Sequence, residues 1–172
     1  MEEINDPKYF SLKKVKQLAK DVEKNPKIVK ELVKLTLGED LTLSMRASWA
    51  LQHISFKNPE LISTHISSLI KFLRKEKQHT GAIRNVIRLF HEIAIPEKYC
   101  GELFDLCMSY TKNATLPHAV RAFSITVLGD ICKKYPELKP EVELVLNELK
   151  TFPQPASLTV RIREVSKILL KL

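Results

Sequence analysis

Ile54, Ile93, Ile131 and Ile168 recur at intervals of 39, 38 and 37 residues, and no other feature of the chain narrows its fold as much. Three positions before each stands another apolar residue: Leu51, Phe90, Leu128 and Val165. Side chains three apart share one face of a helix, so each pair marks a buried helical stripe. An Arg recurs near the start of the same segments, at Arg46, Arg84, Arg121 and Arg161, and a Pro follows the first three, at Pro59, Pro96 and Pro136. Proline cannot continue a helix, because it lacks the N–H and its ring clashes with the preceding turn. A second, shorter apolar helical pattern begins after each of these prolines. The repeating unit is therefore a pair of helices. One such pair cannot bury its apolar face alone, so successive pairs must stack.

The clearest copy runs from His118 to Leu138. Val120, Ser124, Val127, Leu128 and Ile131 form its wide inner face, and Gly129 directly follows a core Leu. A residue without a side chain at such a point lets a neighbouring helix come close. The run Val120-Arg121-Ala122-Phe123-Ser124-Ile125-Thr126-Val127-Leu128-Gly129 resembles the second helix of a HEAT repeat, and Met45-Arg46-Ala47, Ile83-Arg84 and Val160-Arg161 resemble it more faintly. The resemblance covers roughly residues 26 to 172. It implies an all-α chain wound as a right-handed α-α superhelix of the HEAT/armadillo-like solenoid type, with the second helix of each pair lining the concave side. An Asp often stands six residues before the Arg in HEAT repeats. Here only Asp40 does, and Gln78, Thr115 and Pro155 fill the other places. The segment Arg46-Ala47-Ser48-Trp49-Ala50-Leu51 also resembles small bacterial HEAT-like proteins, some of which carry an adenylosuccinate lyase label. A lyase of that type needs a Ser-rich loop of the pattern S-S-x-M-P and a much longer chain. None of the three Met here precedes a Pro, so that label is rejected.

Nine helices are expected: an N-terminal cap and four pairs, within one domain over residues 1–172. Helix 1 spans Tyr9 to Lys24, with Phe10, Val15, Leu18, Ala19 and Val22 on one face and lysines opposite. Pro26 opens helix 2 at the position where its missing N–H costs nothing, and Gly38 ends it. Asp40 or Thr42 caps helix 3, which runs to about Lys57, and helix 4 runs from Pro59 to about Lys75. Helix 5 covers Thr80 to Ile95, helix 6 Glu97 to Lys112, and helix 7 about Pro117 to Tyr135. Helix 8 covers Pro140 to Thr151. A stiff connector, Phe152-Pro153-Gln154-Pro155, leads to helix 9, Ala156 to about Leu170.

Sequence features exclude several classes of function. No run approaches the ~18 apolar residues of a membrane span. The opening MEEINDPKYF lacks the apolar core of an export signal. Three Cys are too few and too odd in number for a disulfide scaffold, so free thiols in a reducing cytoplasm are expected. The net charge is +8, and residues 1–86 hold 16 Lys and Arg against 10 Asp and Glu. That excess suits either a solvated surface or a polyanionic partner.

No catalytic or cofactor motif can be written. The glycines at 38, 81, 101 and 129 are too far apart for a phosphate-binding loop. His91-Glu92 begins like a zinc-peptidase helix, but Ile95 stands where the second His must be. Cys100 and Cys107 share a helix face without His or Cys neighbours in sequence, so buried thiols are expected and no metal site. The single Trp49 could stack a base, but its helical neighbours Met45 and Phe56 fit a packing role. No catalytic residue, metal ligand or cofactor is expected.

Six arginines remain as candidate partner- or phosphate-binding residues: Arg46, Arg84, Arg88, Arg121, Arg161 and Arg163, all near the starts of the expected concave helices. A guanidinium offers a planar fork of donors suited to phosphate or carboxylate. Stacked repeat upon repeat, they could form a cationic stripe that reads backbone phosphates without sequence preference. Alternatively, they bridge repeats by bonding helix ends and carboxylates such as Asp40, Asp130 and Glu164. The expected function is that of a non-catalytic scaffold that binds a partner protein on its concave face. A nucleic-acid binder, related in shape to the HEAT-like alkylpurine glycosylases, is the alternative.

Overall fold

The computed structural model describes residues 11–172, which are all-helical: ten α-helices and one 3-10 turn, with no strand among the described residues. The chain divides into two compact units that meet in sequence at Ile95 and Pro96. The first holds the cap helix and two helix pairs, and the second holds two pairs.

In the first unit, α1 (Leu12–Lys24) starts at Ser11, whose hydroxyl accepts the Lys14 N–H at 3.3 Å. Val15, Leu18, Ala19 and Val22 form its buried stripe. Tyr9 and Phe10, expected on this helix, lie outside the described residues. Helix α2 (Lys27–Thr36) packs against α3 (Leu41–Ser55), and the Ser44 hydroxyl donates to the Thr36 carbonyl at 2.7 Å across that contact. Pro26 sits just outside α2 as its N-cap, one residue earlier than the sequence pattern places it. Asp40 caps α3 as expected: one carboxylate oxygen accepts the Thr42 and Leu43 N–H groups, each at 2.9 Å. Helix α3 is the centre of the unit. It touches α1, α2 and the helices that follow, which is why its apolar and small residues go almost all the way round.

The expected fourth helix is broken in two, α4 (Pro59–Ser63) and α5 (Ile66–Leu73). Ser63 and Thr64 hydroxyls donate to the Pro59 and Leu61 carbonyls, so side chains compete with the backbone ladder where the chain turns. Ile62 and Ile66, on either side of the break, are both fully buried. Helix α6 (Thr80–Glu92) lies along α3 and ends three residues before the expected Ile95. Ile93 is already extended (φ −117°, ψ 150°), and Pro96 drives the residue before it away from helical geometry. The Asn85 amide joins the two helices by donating to the Met45 carbonyl at 3.3 Å and the Ser48 hydroxyl at 3.2 Å.

In the second unit, α8 (His118–Lys134) is sandwiched between α7 (Glu97–Lys112) and α10 (Ala156–Leu169). A Cβ on Gly129 would stand 3.0 Å from Val165 Cγ1, so this glycine marks a close approach of α8 and α10. After α8 the chain makes a 3-10 turn, Pro136–Leu138, before α9 (Lys139–Lys150). The repeated core positions are buried as the period requires: Leu51, Ile54, Phe90, Ile93, Leu128, Ile131 and Val165. Ile168 is only half-buried, and its neighbour Leu169 takes the inner place in the last repeat.

Candidate functional site

The six arginines stand in different surroundings. In the first unit, Arg46 is buried within α3, 8% exposed. Arg84 is exposed on α6, and its Nε and Nη2 reach the Asn85 side-chain oxygen at 3.4 and 3.2 Å. Arg88, one turn on, lays its guanidinium over the Phe56 ring, 5.3 Å from the centroid. In the second unit, Arg121 is 6% exposed and its Nε donates to the Thr111 carbonyl at 3.1 Å, closing the last turn of α7. Arg161 pairs with Glu164 at 2.7 Å and lies 5.9 Å from the Phe123 ring centroid. Arg163 is exposed on α10. Asp40 spends one carboxylate oxygen on the α3 cap, and Asp130 pairs with Lys133 at 2.7 Å.

Concavities in both units give these side chains a setting. In the second unit, a cavity of about 510 Å³ opens between α10 and the connector before it. Phe152, Pro153, Ile162 and Leu170 supply its apolar wall, and Lys150, Arg163 and Lys167 bring cations. Phe152 is 67% and Leu170 77% exposed. A second groove, about 390 Å³, runs between α8 and α10 over Ala119, Ala122, Phe123, Ala156 and Val160. In the first unit, a groove of about 360 Å³ lies between α1 and the end of α3, lined by Lys16, Ala19, Lys20, His53, Phe56 and Lys57.

The sequence hides these surfaces to different degrees. The lysines of α1 recur at helical spacing, Lys13, Lys16, Lys20 and Lys24, and Trp49, His53 and Phe56 do the same on α3. Both patterns are visible, but their meeting in one groove depends on how α1 packs on α3. Phe152 reads as part of a stiff connector, and nothing in the sequence shows that it is left uncovered.

Electrostatics sorts the remaining groups. Burial lowers the His53 pKa, and the Arg88 and Lys16 charges lower it further, so this imidazole is neutral at pH 7. All three cysteines are buried and none is in a disulfide. Burial pushes the Cys107 thiol up to about 12, against a smaller opposing hydrogen bond with Ser124. Burial and then Glu137, Glu141 and Glu143 push Cys132 up to about 11. Protonated, enclosed thiols are poor nucleophiles. Among the described residues, no three His, Cys, Asp or Glu side chains gather as metal ligands, and no helix is long and apolar enough to cross a membrane.

The HEAT repeat domain family matches residues 7–169. No curated protein and no solved structure matches the chain.

Proposed function

Because the chain belongs to the HEAT repeat domain family, we propose that it is a non-catalytic interaction module that docks a partner protein on the second helix of its repeats. Stacked helix pairs offer continuous surfaces, and binding is their usual use. The observation that carries this reading is the cavity on α10, with Phe152 and Leu170 standing open beside Lys150, Arg163 and Lys167. Exposed aromatic and aliphatic anchors within a rim of like charge suit a partner helix with an apolar stripe flanked by Asp or Glu. Arg163 would pair with that acidic flank. Arg121, held against Thr111, would keep the helices in place behind it.

The test is a comparative pull-down with the intact chain and a Phe152→Asp/Leu170→Asp variant. Both side chains are largely exposed, so the variant should melt within a few degrees of the parent. A specific partner retained by the parent and lost by the variant is the expected result. The same partners recovered with both proteins would reject the cavity as the docking surface.

A further inference from the structure

The groove in the first unit differs in kind from the cavity on α10, because it sets aromatic rings within a ring of cations. Lys16 and Lys20 project from α1, one turn apart, and Lys57 follows directly after α3. The wall between them is His53 and Phe56, whose rings meet edge-on at 5.9 Å. Trp49 continues the row, edge-on to His53 at 5.6 Å. Arg88 covers part of the Phe56 ring, yet the residue remains 43% exposed. Among the described residues, no carboxylate lines the groove. On α1, Asp21 is engaged by the Gln17 side chain at 2.8 Å, and Glu23 lies beyond the lining residues. Exposed Lys13 and Lys24 extend the cationic row along α1. From Lys13 to Lys24 is 11 residues, about 16 Å at 1.5 Å per residue. The lowered His53 pKa, caused by burial and then by Arg88 and Lys16, registers the positive field in the same place.

We infer that this groove binds single-stranded nucleic acid, with a base against the exposed part of Phe56 and the phosphates held by Lys16, Lys20 and Lys57. Cations that track a backbone, combined with aromatic rings that stack bases, are what such binding requires. A duplex keeps its base faces inside the stack, so it would leave the rings unused. An acidic peptide would engage the same lysines, and competition by polyglutamate distinguishes it from a single strand. The site lies in a different unit from the proposed protein-docking cavity and does not depend on it.

The experiment titrates the protein into fluorescein-labelled oligothymidylate and follows both anisotropy and the emission of Trp49, the chain's only tryptophan. At about 50 mM salt, the oligonucleotide should bind and alter Trp49 emission, and affinity should fall steeply as salt rises. Phe56→Ala should weaken binding by about 5- to 150-fold, the equivalent of about 1–3 kcal/mol for one stacked base. Lys16→Ala with Lys20→Ala should lower the slope of log K against log salt by about 0.7 for each lysine. Lys167→Ala, in the other unit, should change neither quantity. Absence of binding at low salt would overturn the proposal. So would binding that leaves Trp49 emission and the Phe56→Ala affinity unchanged, because the contact would then be lysine charge alone. Equal competition by polyglutamate of matched charge would also overturn it, in favour of an acidic protein ligand.

Discussion

Gly129 and Gly101 show how one residue type can matter in opposite ways. A Cβ on Gly129 would press on both Val165 methyl groups, at 3.0 and 3.1 Å. Val165 is β-branched and has little rotamer freedom with which to yield. Overpacking of this kind costs about 1–3 kcal/mol, while the helix-propensity gain from Gly to Ala is about 1 kcal/mol. Gly129→Ala should therefore lower the melting temperature. A Cβ on Gly101 would meet nothing within 4 Å, so Gly101→Ala should raise stability by about 0.5–1 kcal/mol. Circular dichroism melts of the two variants check both signs, and a stabilising Gly129→Ala would contradict the close approach of α8 and α10. The arginines divide in the same way. Arg121→Ala removes a charged donor from the buried Thr111 carbonyl and should cost about 1.5–3 kcal/mol. Arg163→Ala, on the surface, should stay within about 0.5 kcal/mol of the parent. Gly129 could be read from the sequence because a glycine beside a core leucine has a packing meaning. The Arg121 bond is the helix-end bond the sequence offered as one reading of these arginines, but its acceptor could not be named, because it is a main-chain carbonyl ten residues earlier and any residue type supplies one.

At the scale of the helix, the period did most of the work. The stripes on α1, α3, α6 and α8 are as the spacing predicts, because burying one face decides both the helix and its orientation. The departures occur where local chemistry outweighs periodicity. Helix α4 stops at Ser63 although its apolar pattern runs on, because hydroxyl side chains compete for the backbone and both isoleucines still reach the core. Helix α9 carries Leu144 on its outer side, 71% exposed, although the pattern groups it with Val142, Val145 and Leu146. The cap of α3 was legible, because a short acid before an apolar run is a start signal with a mechanism. Asp40→Ala should leave two N–H groups without that acceptor and cost about 1 kcal/mol, within a range of about 0.5–2. Asp40→Asn should retain most of that stability. Chemical denaturation of both variants tests this, and an Asp40→Ala midpoint equal to the parent's would show that the cap contributes nothing.

For the molecule as a whole, the sequence announces stacked helix pairs and a basic surface, and the HEAT family match agrees with the first. The binding surfaces were less legible. A cavity is made by side chains from separate elements, and the exposure of Phe152 or Phe56 depends on what the fold leaves uncovered. The charge excess of residues 1–86 did point to the half that holds the lysine-rimmed groove. The two proposed surfaces differ in chemistry: one is apolar with a cationic rim, the other aromatic with a cationic rim. On the proposed function, a partner protein sits in the cavity on α10. Photo-crosslinking tests this most directly, with a benzophenone amino acid placed at Arg163 in one protein and at the exposed Asn147 of α9 in another. A discrete adduct is expected from position 163, lost when Phe152→Asp is added, and none from position 147. Adducts of equal yield from both positions, or an adduct at 163 that survives Phe152→Asp, would contradict it.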